Sequence, residues 1–526
     1  MQKSVGEALV YLLENYGVDT VFGIPGVHTV ELYRGLAASS IRHITPRHEL
    51  SAGFMADGYA RISGKPGVCF LITGPGLTNA ITAMAQARAD SIPMLVISGV
   101  NKLSNAGVEE GHLHELPNQA AMMATIALST QTLQQGCDLE DVLERAFSTM
   151  RCSRPGPVHI EVPLDVMTEV IDVSKPIIHS VQLPTVPSKA VLKEAATRCN
   201  TAQHPVILVG GGALAVDVQP LAEQLDAPVV STVNARGMLA GHPLNVPASP
   251  SLKSVRDLLE HADLVLAIGT EFGPTDFDMY LDGNFPPLRQ LIRIDVDESQ
   301  SKKGPKADQV IVSDASIVTE SLLPLLRTRT KDSLGASRAA KTKRDAYGTL
   351  PAIYQDYIQL LNSVSTTLPN VVMVGDSTQL VYAGNLFCEI NRKRGWFNSA
   401  TGYGSLGYGV PAAIGAQLAT KNTPVVCLTG DGGFQFCLAE LGTAMDEQTP
   451  VIFIVWNNQG YQEIETYMVD KNITPVGVKP TAPDFVMIAA AYGMRAEKIT
   501  ETSELPHVLT RANAAKCPYL IEIQTN

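Results

Sequence analysis

Two polar turns, each placed directly after an apolar run, carry the most specific chemistry in the sequence. Gly430-Asp431-Gly432-Gly433 follows the run 425–429, and Asn457-Asn458 follows the run 451–456. If both runs are parallel strands, both turns fall at the carboxyl ends of a sheet, where ligands bind. Glycines let a backbone approach a diphosphate closely, and a helix beginning near Phe434 would turn its positive end toward it. Asp431 and Asn458 offer hard oxygens of the kind that hold Mg²⁺ against phosphate. Asp-Gly and Asn-Asn are also ordinary turn residues. The spacing between the two turns, each ending a strand, is what favours a cation.

Other residues suited to proton chemistry stand in similar turns. Arg47-His48-Glu49 follows the run 41–45 and opens a helix-like stretch at 50–61. An acidic residue there is favoured by the helix dipole whatever its task. His112 and His114 lie in the polar segment EEGHLHELPNQ, and His28 lies just past the turn Phe22-Gly23-Ile24-Pro25-Gly26. Imidazoles carry protons near neutral pH, although histidines in a polar loop are more often plain exposed side chains. Gly375-Asp376-Ser377-Thr378-Gln379 again sets a polar turn after an apolar run, here 371–374.

Such turns need strands to hold them. Short β-branched runs at 68–73, 94–98, 205–209, 264–268, 371–374, 425–429 and 451–455 alternate with helix-like segments. Their continuous apolar character predicts strands buried on both faces, hence doubly wound α/β domains around parallel sheets. A length of 526 residues suggests about three domains. An aperiodic, Pro-containing stretch at 167–188 and a basic, polar one at 327–344 read as links, giving domains over 1–166, 189–328 and 350–526. GVCFLITGPGLTNAITAMAQARADSIPMLVIS in the first domain and PVVCLTGDGGFQFCLAELGTAMDEQTPVIFIV in the third share a strand, a Thr-Gly-x-Gly turn, a helix and a Pro-opened strand. Any βαβ unit reads in this way; a true duplication would leave room for a ligand between the two domains.

Composition excludes several classes. Hydrophobic residues at 45% and charged ones at 17% exclude a disordered or fibrous chain. No apolar run approaches the ~20 residues of a membrane span. The opening MQKSVGEALVYLLENYGV carries Glu7 and Glu14 and reads as a helix rather than a signal peptide. A net charge of -12 disfavours a broad nucleic-acid surface. Eight cysteines without a CxxC pair, several inside apolar runs, suggest buried reduced thiols and a cytoplasmic protein.

With GDG, an intervening βα length and NN in place, the sequence resembles the thiamine-diphosphate-dependent decarboxylase and acetolactate synthase superfamily. The resemblance covers the whole chain and implies pyrimidine-binding, central and diphosphate-binding domains in that order. It implies that Asp431, Asn458 and the carbonyl of Gly460 hold Mg²⁺, with Gly430, Gly432, Gly433 and Tyr461 beside the diphosphate. Thr378 and Gln379 fall where the family contacts the diphosphate, and Pro25 and Gly26 lie near the reacting end. Within 402–415, Leu406 aligns with the residue that props the cofactor bent, and the Gly404 carbonyl would accept from its ring amino group. Glu49 would hydrogen-bond the aminopyrimidine of a cofactor held by another subunit, so a homodimer or homotetramer with the cofactor at its interface is implied. His112 or His114 would shuttle protons.

The cofactor supplies an electron sink for loss of CO₂ from a 2-oxo acid; the protein chooses the acid and the fate of the resulting carbanion. Glu463, Ile464 and Tyr467 occupy the segment that lines the family's substrate pocket, as would His28, and Asp276 takes a catalytic position of one decarboxylase type. Acidic residues there suit a cationic tail, because guanidinium pairs with carboxylates in two-pronged fashion, although each is equally a solvated surface charge. FGIPGVHTVELYRGL, RHELSAGFMADGYARISGKPGVCFLITGPG and PVGVKPTAPDF resemble the 5-guanidino-2-oxopentanoate (2-ketoarginine) decarboxylases, enzymes of arginine catabolism that form 4-guanidinobutanal. RHE, ITGPGLTNA and VGGGALA equally resemble acetolactate-synthase-like carboligases, and a benzoylformate-type decarboxylase or a non-catalytic paralogue are further readings. Those synthases carry FAD in the central domain; Val209-Gly210-Gly211-Gly212-Ala213 is a weak signal for it, and no FAD is expected.

Overall fold

Strands form where the sequence carries its continuous apolar runs, and helices form on both sides of them. The protein is described by a computed structural model covering the chain apart from residues 106, 174–185, 276–284, 330–333 and 526. The first unit contains β1 (Gln2–Ser4), β2 (Thr20–Phe22), β3 (Arg42–Ile44), β4 (Gly67–Leu71), β5 (Met94–Val100), β6 (Ser129–Thr132), β7 (Pro157–Pro163) and β8 (Val170–Asp172). The central unit contains β9 (Pro205–Val209), β10 (Val229–Ser231), β11 (Asn245–Val246), β12 (Leu264–Ile268), β13 (Leu291–Asp295) and β14 (Gln309–Val312). The third contains β15 (Val372–Gly375), β16 (Trp396–Asn398), β17 (Val425–Gly430), β18 (Val451–Asn457), β19 (Arg495–Ile499) and β20 (Tyr519–Gln524).

Each unit holds one six-stranded parallel sheet. The first runs β3-β2-β4-β5-β7-β6 and the third β16-β15-β17-β18-β20-β19. Numbered from each unit's own first sheet strand, these orders are identical, so the weak sequence repeat is matched by topology. The two repeat segments fall on equivalent pairs, β4–β5 and β17–β18. The central sheet, β11-β10-β9-β12-β13-β14, has the other common doubly wound order. In the first and third sheets the strand order reverses between the sheet's first and third strands in chain order, and in the central one between its first and fourth; loops at the carboxyl ends there form a crevice. For the first unit these are the turns after β2 and β4; for the third, those after β15 and β17.

The predicted opening helix spans Val5–Asn15. Ser4 accepts from the Glu7 amide and the Glu7 carboxylate accepts from that of Ser4, a capping box that supplies partners for end groups without helical ones. Two link regions differ from expectation. Part of 167–188 forms β8, which pairs antiparallel with β1 and carries the first unit past residue 166. Much of 327–344 lies in the helix Gly335–Gly348, whose buried residues are small (Ala339, Thr342, Ala346), so its apolar stripe is faint in sequence.

The first and third units share one core. Phe22, Phe54, Met55 and Met84 pack in the same cluster as Val374, Phe397, Ile414 and Phe453. At its centre the helices Glu49–Ser63 and Gly409–Leu418 cross at backbone contact. A Cβ on Gly58 would stand 2.0 Å from the Ala412 carbonyl oxygen, and one on Gly415 1.9 Å from that of Met55. Only glycine permits this approach, and Glu49 opens the first of the two crossing helices. All eight cysteines are free. No helix among the described residues is long and apolar enough to cross a membrane.

Candidate active site

The turn after β17 builds the site's most polar point. Asp431 is buried, and its Oδ2 has no hydrogen-bond partner. Burial pushes its carboxyl above the usual range, against backbone N–H groups that pull it down. The helical run opens at Asp431 itself rather than near Phe434. Asn458, after β18, donates through Nδ2 to Gln379 Oε1 at 3.3 Å. That orientation turns its amide oxygen toward Asp431 Oδ1 at 3.1 Å and toward the Gly460 carbonyl at 2.9 Å. Three facing oxygens repel unless a cation stands among them; without one, the amide turns over and its nitrogen donates to both. The orphaned carboxylate oxygen and this convergence fit a hard divalent cation that shares its shell with phosphate. Among the described residues no group of three His, Cys, Asp or Glu side chains is placed to hold a metal ion; what converges here is one carboxylate, one amide and one carbonyl.

Around it lie the turns expected to cradle a diphosphate. Thr378, buried, precedes the helix Gln379–Leu386 without capping it, which leaves that helix's first N–H groups free of side-chain partners. A Cβ on Gly430 would stand 3.1 Å from Thr378 Oγ1, and one on Gly432 2.5 Å from the Tyr461 ring. Residues 402–408 run beside these turns, with Gly404 at φ +79 and Leu406 half-buried. Asp376, absent from the predicted set, anchors this loop. Its carboxylate accepts from Ser377 N at 2.8 Å and Gly409 N at 3.1 Å, and burial raises it to about 6. Its only sequence signal is an acid directly after an apolar run.

The first unit contributes its own reversal point. Glu49 opens the helix Glu49–Ser63, half-buried, with His48 as N-cap and Asn79 Nδ2 donating to its carboxylate at 3.0 Å. Gly26, beside Pro25, packs on Ile72 of the β4 turn. His28 is buried, hydrogen-bonds with Asn101 at 3.2 Å and stacks on His114 with ring centroids 5.4 Å apart. Burial lowers the His28 imidazole below its ordinary value. The structure therefore brings His28 and His114 together. His112 turns instead toward Glu110, at 3.7 Å. The His114 carbonyl lies 2.6 Å from where a Cβ on Gly74 would sit. Buried Gln119, not singled out by sequence, fixes that turn by accepting from Thr73 Oγ1 at 2.9 Å and Gly74 N at 3.1 Å.

The expected substrate residues are less gathered. Glu463, Ile464 and Tyr467 lie on the exposed helix Gln462–Asp470. Glu463 is nonetheless raised by desolvation, and its charge helps to raise the Tyr354 and Tyr357 phenols. Glu465 pairs with Lys479 at 2.8 Å. Asp276 lies outside the described residues. The turn 210–212 places Gly211 and Gly212 in the lining of a cavity of about 710 Å³ where all three units meet. Its glycines have a packing cause, since a Cβ on Gly210 would stand 2.4 Å from the Gly269 carbonyl oxygen.

Residues 3–122 match the thiamine pyrophosphate enzyme N-terminal TPP binding domain, 192–322 the central domain and 376–523 the C-terminal TPP binding domain. A Pseudomonas aeruginosa protein named probable 2-ketoarginine decarboxylase AruI is 41% identical over 99% of this chain and 94% of its own length. The Escherichia coli acetolactate synthase isozyme 1 large subunit is 31% identical over 93% of this chain and 88% of its own. A Methanocaldococcus jannaschii probable acetolactate synthase large subunit is 31% identical over 98% and 91%.

Proposed function

The chain belongs to the thiamine pyrophosphate enzyme family, and from that premise we propose that it decarboxylates 2-ketoarginine to 4-guanidinobutanal with Mg²⁺ and thiamine diphosphate. The observation that carries the substrate is the 41% likeness, along nearly the whole chain, to a relative named as acting on 2-ketoarginine. Bound thiamine diphosphate supplies the electron sink that lets CO₂ leave a 2-oxo acid. Asp431, Asn458 and the Gly460 carbonyl would hold Mg²⁺, and Thr378 and the glycine turns the diphosphate. Glu49 would face the cofactor's pyrimidine ring and hold or release a proton at its carboxylate. His28 and His114, adjacent and close to the reacting end, move protons at the substrate carbon. Glu463, beside Tyr354 and Tyr357, offers a carboxylate and aromatic faces to a guanidinium tail. Such an enzyme works in the cytoplasm as a homodimer or homotetramer, because Glu49 serves a cofactor held by another copy.

The test is a panel of 2-oxo acids with product identification. CO₂ and 4-guanidinobutanal from 2-ketoarginine, far faster than CO₂ from pyruvate or benzoylformate, are expected. Glu463→Gln should raise KM for 2-ketoarginine roughly tenfold or more, as loss of a charge-assisted hydrogen bond does, and leave pyruvate unaffected. Acetolactate from pyruvate, with 2-ketoarginine inert, would replace this reading with the carboligase one that the synthase relatives support.

A further inference from the structure

The helix beyond the metal turn reaches across to Glu49 through one buried side chain. Glu440 opens the helix Glu440–Asp446 and is almost wholly buried. Its carboxylate accepts from the backbone N–H of Arg47, at 3.0 Å and 3.2 Å from its two oxygens, and from Thr443 Oγ1 at 2.7 Å. Ser51, two residues beyond Glu49, lies near enough to help pull that carboxyl down against burial, while its Oγ is 3.6 Å from Cys437 Sγ. The Arg47 guanidinium binds Thr443 Oγ1 at 3.2 Å and Asp446 at 2.6 Å, so the same helix holds side chain and backbone together. Glu440 and its helix thus grip the chain just before Glu49, at the point where the chain turns into its own helix, with Ser51 close by on the other side. A surface glutamate could not do this; a buried one is retained at a desolvation cost, which raises its carboxyl.

We propose that Glu440 is a positioning residue for Glu49: it fixes the Arg47–Ser51 turn so that the Glu49 carboxylate meets the cofactor ring. This rests on Glu49 acting at the pyrimidine ring, as proposed above. Neither Asp431 nor Asn458 is among Glu440's partners, so its removal should leave cofactor retention intact while proton exchange suffers. A carboxylate displaced by an ångström loses most of its advantage in proton transfer.

The test measures deuterium exchange at C2 of bound thiamine diphosphate in Glu440→Ala, Glu440→Gln and Glu49→Gln, with cofactor affinity read separately. Exchange should fall about tenfold or more in Glu440→Ala and less in Glu440→Gln, whose amide oxygen still accepts from Arg47. Cofactor affinity should stay within about threefold, roughly the scatter of changes that touch no ligand contact. In the apo-protein, backbone hydrogen exchange across 46–52 should rise in Glu440→Ala. Should that variant not fold, Ser51→Ala removes only a polar neighbour of the Glu440 carboxyl and should slow exchange to a smaller degree. Wild-type exchange in folded Glu440→Ala, or in both Ser51→Ala and Glu440→Gln, overturns the proposal while Glu49→Gln stays slow. Wild-type exchange in Glu49→Gln overturns the reading of Glu49 and this inference with it.

Discussion

Asp376 and Asp431 stand in the turns after two neighbouring strands, yet their needs are opposite. Asp431 keeps an oxygen without a hydrogen-bond partner, which the proposed cation would take, whereas Asp376 spends both oxygens on backbone N–H groups that hold the loop 402–408. Burial wins over those bonds and sets Asp376 at about 6, above its ordinary 3.8. An acid raised in this way binds its proton more tightly folded than unfolded. Its contribution to stability is therefore full below pH ~4, is lost as pH rises from ~4 through ~6, and is flat above. Asp376→Asn has no such proton to lose. The urea midpoint of the variant relative to wild type should shift in the variant's favour across that window and level off beyond it. A difference that stays constant from pH ~4 to ~7 would mean that Ser377 and Gly409 outweigh the desolvation.

At the scale of elements, the crossing of Glu49–Ser63 on Gly409–Leu418 decides where the two half-sites stand. Gly415→Ala places a methyl 1.9 Å from a carbonyl oxygen, and backbone cannot yield as a side-chain tip does. Overpacking of cores costs ~1–3 kcal/mol, and this contact belongs at the upper end or beyond. A Cβ at Gly348, a helix end, meets nothing within 4 Å, so Gly348→Ala should be neutral or slightly stabilising. Thermal melting of the two variants side by side checks the contrast. The elements themselves were largely legible: β4, β5, β9, β12, β15, β17 and β18 all lie on continuous β-branched runs, because strands covered on both faces admit little else. The turn 430–433, proposed above to hold the metal, could be placed for the same local reason, directly after a strand. What stayed hidden depends on approach between distant segments. β8 is exposed and short, the helix Gly335–Gly348 buries only small side chains, and Gln119, Asp376 and Glu440 have meaning only once loops from different strands meet.

For the whole molecule, one buried charge cluster ties the three units together beside the site. Arg61 donates to Asp57 and Asp90, each at 2.6 Å, and to Asn234 of the central unit at 3.3 Å. Its guanidinium lies 5.2 Å from the Phe397 ring centroid and 5.9 Å from that of Tyr408, both of the third unit. Tyr408 in turn donates to Asp57 at 2.5 Å, Thr401 to Asp90 at 3.0 Å, and Gln86 accepts from the Ser405 amide at 3.3 Å. The cluster therefore holds both flanks of Leu406. Burial pushes Asp57 upward against the pull of Arg61, so the two carboxylates depend on that one guanidinium. Arg61→Met would leave them buried without it, a change that costs ~3–5 kcal/mol. The solvent-facing pair Arg511–Glu497, at 2.5 Å, offers the comparison: Arg511→Met should cost far less, and added salt should erase the difference. Arg61→Met should lower the melting temperature by several degrees whatever the salt, and should also weaken cofactor binding, since Ser405 and Tyr408 lose their shared anchor. A variant that melts like Arg511→Met would show that the shared core of the first and third units, rather than this cluster, holds the loop in place.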